Sequence, residues 1–109
     1  MSEYRSYTRG ERAERARLVL RGVEQAAASA VDSRIEKRIE RIDAVAADRG
    51  AREADALFAQ DDRAKNELAA AKARERAARG EDRRAARDAR RQAEQRVRAT
   101  ERAIRRAGL

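Results

Sequence analysis

The sequence predicts an all-α protein built from elongated helices, arranged as a coiled-coil-like helical hairpin or as a long rod with a hinge near Gly80. Three observations predict this. The 109 residues contain no proline, while alanine supplies 27 and arginine 25. Proline is the residue that most reliably stops a helix, and alanine is the best helix former. Small and apolar side chains then recur at steps of three and four over most of the chain. Finally, acids stand four residues ahead of bases at Glu11–Arg15, Asp61–Lys65, Glu75–Arg79, Glu94–Arg98 and Glu101–Arg105, the favoured order for pairing on a helix surface.

Residues 1–9 read as a polar N-terminal tail that carries both tyrosines, Tyr4 and Tyr7. Thr8 followed by Glu11 has the spacing of a capping box, so a helix is expected to start there. Along the next stretch Ala13, Ala16, Leu20, Val23, Ala27 and Ala30 form one helical face. Ser33 and Glu36 offer a second capping box and hence a restart.

Residues 10–79 are expected to form one long helix or two helices with an apolar seam. The seam favours one. Leu20, Val23, Ala27, Val31, Ile35, Ile39 and Ile42 lead on through Ala46, Gly50, Ala54, Leu57, Asp61, Ala64, Leu68, Ala71, Glu75 and Ala78. From Val31 onward the mean step is about 3.6, that of a nearly straight α-helix rather than a left-handed supercoil. Gly50 lies on this seam. It either ends a helix after Arg49 or lets a neighbouring helix approach closely. The break at Gly80 is stronger, because Arg79 precedes it and Glu81 and Asp82 follow, where acids favour a new helix start.

Residues 80–109 read as a basic amphipathic helix. Ala86, Ala89, Ala93, Val97, Thr100, Ile104 and Ala107 form one face, and Arg84, Arg87, Arg91, Arg98, Arg102 and Arg105 cluster on the other. This segment holds ten arginines and five acids, so most of the chain's net charge of +8 sits here.

Composition limits the function. Leu, Ile, Val and Phe together number 15, too few for a sizeable core. An alanine seam adds little, since each buried methylene contributes only about 0.8 kcal/mol. Stability is therefore expected to come from helix propensity, ion pairs and a partner. With no histidine or cysteine, there is no thiolate metal site, disulfide framework or Ser/His pairing. Asp61 and Asp62 are adjacent, so their side chains diverge on a helix. No enzyme activity, cofactor, metal or small-molecule substrate is expected. No stretch approaches the roughly 20 apolar residues that cross a bilayer, and Met1–Arg5 has no hydrophobic signal core. A cytoplasmic protein without a membrane role is the simplest placement.

Two functions fit. The first is a non-enzymatic structural, assembly or adaptor protein acting through helix–helix association. Its contact residues would be Leu20, Val23, Val31, Ile35, Ile39, Ile42, Leu57, Phe58 and Leu68, and its partner a second copy or another helical protein. The second is a nucleic-acid accessory protein. There Arg84, Arg87, Arg91, Arg98, Arg102 and Arg105 would contact phosphates over about 32 Å, close to one turn of B-DNA. No aromatic residue is interleaved with these arginines, which argues against stacking on unpaired bases.

Overall fold

A computed structural model describes residues 4–30 and 32–109. Val31, one of the expected contact residues, lies outside the described residues. The protein is all-α, with helices α1 (Arg9–Ala27), α2 (Ser33–Ala77) and α3 (Asp82–Arg106). Helix α2 alone has 45 residues, about 67 Å at the standard rise. The chain forms two units, residues 1–52 and 53–109, each built around an antiparallel helical hairpin.

Helix α1 starts as its sequence predicts. The Thr8 hydroxyl accepts from the Glu11 N–H at 3.1 Å, and the Glu11 carboxylate accepts from the Thr8 N–H at 2.8 Å. Two of the orphan donors of the first turn are thereby satisfied.

The single helix through residues 11–79 is not found. The chain leaves the helix at Ala28, and Ser29 adopts a left-handed φ of 57°. The Ser29 N–H donates to the Ala26 carbonyl at 3.1 Å and the Ala30 N–H to the Gln25 carbonyl at 2.8 Å. This is the Schellman arrangement, which usually recruits glycine. The seam's apolar spacing concealed it, because a stop made by serine leaves no Gly or Pro signature. The restart is real, but its cap is Asp32 rather than Ser33. Asp32 Oδ1 accepts the Arg34 N–H at 2.9 Å, and Ser33 is already the first helical residue. Gln25 Oε1 accepts the Asp32 N–H at 2.9 Å, which ties the end of α1 to the start of α2.

In the first unit, α1 runs antiparallel to residues 33–52 of α2, and Ile35, Ile42 and Ala46 are buried. Residues 4–8 precede the helix and lie against α2. The Ser6 N–H donates to the Ala46 carbonyl at 2.9 Å. Gly50 is buried inside α2, where a Cβ would collide with the Tyr4 carbonyl. Glycine here ends no helix; it makes room for the N-terminal backbone.

In the second unit, residues 53–77 of α2 pair with α3, joined by a turn at Gly80 (φ +60°). The hinge expected there is present. Ala64, Ala71 and Ala93 are buried along the contact, so small side chains allow the two backbones to approach closely. Both seams read from the sequence face inward here. Ala54, Leu57, Leu68, Glu75 and Ala78 of one strand of the hairpin, and Ala86, Ala89, Val97, Thr100, Ile104 and Ala107 of the other, are all at least half-buried.

Candidate functional site

Helix α1 carries two seams. Glu11, Arg15, Leu18, Gly22 and Gln25, spaced 4, 3, 4 and 3, are partly buried, with Glu14 beside them. Ala13, Ala16, Leu20, Val23 and Ala27 are all exposed, and no residue of α1 is fully buried. The sequence suggested that the second set is the continuation of the α2 seam. The structure turns that set outward and places the more polar set against α2.

Charge explains the choice. Each inward polar group meets a complement on α2 or the N-terminal segment. Arg15 donates from Nε to Asp43 Oδ1 at 2.7 Å and from Nη2 to Oδ2 at 3.2 Å. The Tyr7 hydroxyl donates to the same carboxylate at 2.8 Å, and Arg5 stands 3.6 Å from it. Arg49 donates to Glu11 at 2.6 Å and to the Ser6 carbonyl at 2.8 Å. Arg38 donates to Glu14 at 2.7 Å. Rotating α1 to bury Leu20 and Val23 would abandon the contacts of Glu11, Glu14 and Arg15 with α2, and charged hydrogen bonds are costly to leave unmade.

The pKa shifts record the same contacts. The Arg49 guanidinium, helped by the Thr8 N–H, lowers the Glu11 carboxyl to about 2. Arg15, with Tyr7 and Arg5, holds Asp43 below the usual carboxylate range. Arg38 lowers Glu14 and Arg34 lowers Asp32.

The outer face of α1 is therefore apolar and uncovered. Leu20 and Val23 are each 61% exposed and Val19 is 42% exposed. Beside Val19 and Val23 a groove of about 430 Å³ opens between α1 and α2, lined by Leu18, Gly22, Ala26, Ile35 and Ile39. Of the expected contact residues in this unit, Ile35 and Ile42 belong to the internal core and Ile39 is half-buried at the groove. Leu20 and Val23 face solvent. In the second unit Leu57 and Leu68 are half-buried within the hairpin, while Phe58 is 46% exposed.

The second surface is the outer side of α3. Arg84, Arg87, Arg91, Arg98, Arg102 and Arg105 are all exposed. Arg98 lies 3.8 Å from Glu94. Among the described residues, none of the other five makes an ion pair. The arginines that do make cross-helix pairs are different ones. Arg90 bridges Glu75 and Glu94, and Arg96 donates to Glu67 at 3.1 Å.

Only two of the five expected pairs along a helix form, Asp61–Lys65 at 2.8 Å and Glu94–Arg98. Glu11, Arg15 and Glu75 reach across to a neighbouring element instead, where a second helix supplies better geometry than the next turn.

The sequence also missed the contact between Asp61 and Thr100. Asp61 is buried, accepts from the Thr100 hydroxyl at 2.8 Å and pairs with Lys65. Lys65 and Thr100 together lower its pKa. The signal was present: an acid on one seam needs a donor, and Thr100 is the only hydroxyl on the facing seam. Among the described residues, no group of three or more acids could hold a metal. No described helix is long and apolar enough to cross a membrane.

Comparison with protein families, with curated proteins and with solved structures returns no match.

Proposed function

We propose that this protein is a non-enzymatic assembly or adaptor module that acts by helix–helix association, with the outward face of α1 as its contact surface. One observation carries this reading: the more apolar of the two α1 seams lies in water, with Leu20 and Val23 each 61% exposed. In a chain so short of large apolar side chains, leaving three of them together on one helix face gives up stabilisation that a partner would restore. The groove at Ile35 and Ile39 extends this surface.

Light-scattering mass across a dilution series tests the reading. The wild-type mass is expected to rise above one chain with concentration, and Leu20→Glu is expected to hold it at one chain without loss of helicity. A wild-type mass of one chain at every concentration would overturn the association function.

A second reading has its own support. Arg84, Arg87, Arg91, Arg102 and Arg105 are exposed and unneutralised on one side of α3, which suits contacts to the phosphates of a nucleic acid. Such binding is independent of sequence and falls with salt at a log–log slope of about 0.9 per phosphate. Replacing Arg87, Arg91 and Arg102 with Gln is expected to lower the slope for duplex DNA by about 3. No binding at low salt would reject it.

A further inference from the structure

We infer that the occupant of the outer α1 face is α1 of a second copy of this chain, paired antiparallel about a two-fold axis. The inference rests on the association reading above and adds the partner and its orientation.

The exposed seam is self-complementary. Ala16, Leu20, Val23 and Ala27 are spaced 4, 3 and 4, and the order small, large, large, small is the same from either end. Laid against a reversed copy, Leu20 meets Val23 of the second copy and Ala16 meets its Ala27, each contact occurring twice. That reciprocity defines an isologous interface. An unrelated partner helix would place no such demand on the sequence.

The flanking charges choose the orientation. Arg17 and Glu24 lie seven residues apart on one flank of the seam. Both are exposed, and among the described residues neither side chain is in an ion pair. In an antiparallel helix pair, residues on the same flank face each other. Arg17 then opposes Glu24 of the second copy, and the symmetric contact repeats it. A parallel pair instead brings opposite flanks together and sets Arg12 against Arg17, like charge against like, twice. Only the antiparallel pair turns these charges into attractions.

The other flank carries Arg12 at its start and then Val19 and Ala26. Val19 faces Ala26 of the second copy there, and Val19 and Ala26 both border the groove lined by Leu18, Gly22, Ile35 and Ile39. The second copy's Val19 thus comes to the mouth of that groove, which continues the contact from α1 onto α2. With few side-chain layers, the pair falls below the standard interface size and belongs with weak, reversible complexes.

Sedimentation equilibrium of two charge-reversed variants tests the geometry. Arg17→Glu sets carboxylates at positions 17 and 24 against each other, and Glu24→Arg does the same with guanidiniums. Each variant alone is expected to dimerise roughly three- to tenfold more weakly than wild type. A 1:1 mixture of the two is expected to recover the wild-type dissociation constant, because both flanking contacts in the mixed dimer are again between opposite charges. The double variant Arg17→Glu/Glu24→Arg is expected to recover it as well. Circular dichroism of each variant at low concentration checks that α1 still folds. If wild type dimerises but neither the mixture nor the double variant recovers, the antiparallel α1 pairing is overturned while association through some other geometry stands. If wild type shows one chain throughout, both the pairing and the association function are overturned.

Discussion

The two units reach the same hairpin design by different means. The first, residues 1–52, relies on two isoleucines and on polar contacts spanning many residues. Asp43 gathers Tyr7, Arg15 and Arg5, and Arg49 gathers Glu11 and the Ser6 carbonyl. The second, residues 53–109, fully buries only alanines and one acid, Asp61, with Arg90 and Arg96 bridging at the edges. A helix pair with few large side chains can thus be held by charge complementarity or by close approach of small residues. The choice determines what is left for the surface. Ion pairing turned the polar seam of α1 inward and left its apolar seam in water. Alanine packing consumed the apolar seam of α3 and left its arginines outside.

Several substitutions sharpen this contrast. The largest effect is expected at Gly50, where the Tyr4 backbone occupies the space of a Cβ. Gly50→Ala is expected to destabilise the first unit by about 2–3 kcal/mol through overpacking. Both tyrosines belong to that unit, so tyrosine emission during urea unfolding should shift while most of the α3 helicity persists. Coincident loss of both signals at an unchanged midpoint would contradict the close approach.

Asp43→Ala is expected to cost about 1–2 kcal/mol, because it strands Arg15 and the Tyr7 hydroxyl. Thermal melts followed by tyrosine emission would record it. In the second unit, Gly80→Ala forces a side chain into a left-handed backbone, at about 1 kcal/mol, and should lower the main helical melt without moving the tyrosine signal.

An effect of the opposite sign is expected at Gly22. A Cβ there would meet Ile35 Cγ2 at 3.8 Å, an ordinary contact. Gly22→Ala should therefore stabilise the first unit by up to about 1 kcal/mol through helix propensity.

Acid separates the units most gently. Glu11, Glu14, Asp32 and Asp43 in the first unit have lowered pKa values, against Asp61 and Glu94 in the second. A carboxylate whose folded pKa is depressed stabilises the fold fully above its unfolded pKa, near 4. That contribution is lost as the pH falls toward the folded value, about 2 for Glu11. Tyrosine emission is expected to change ahead of the bulk helicity between about pH 4.5 and 2. The reverse order would contradict the view that ion pairs matter more in the first unit.

Much of the fold was legible because period and composition report backbone state. The Thr8 cap, the Gly80 turn, the seam from Ala54 to Ala78 and the inward face of α3 follow from local sequence. The break at residues 28–32 did not, because a serine in a left-handed conformation has no local signature. The rotation of α1 did not either. Apolar spacing alone selects the Leu20 and Val23 seam for the interior, and only Asp43 and Arg49, remote in sequence, reverse that choice. Gly50 gave a hint of close approach, but the segment that approaches is the polar N-terminus rather than another helix. The arginine stripe was legible in full, since a helix packed through alanines must show its opposite face to water.

Association through α1 requires that its water-facing seam become covered when chains meet. The sequence has no cysteine, so a single thiol at Val23→Cys reports on that seam alone, with Ala85→Cys on exposed α3 as the reference. The rate of reaction with a thiol-specific reagent is expected to fall at position 23 as protein concentration rises, and to stay constant at position 85. Equal, concentration-independent rates at both positions would contradict the account.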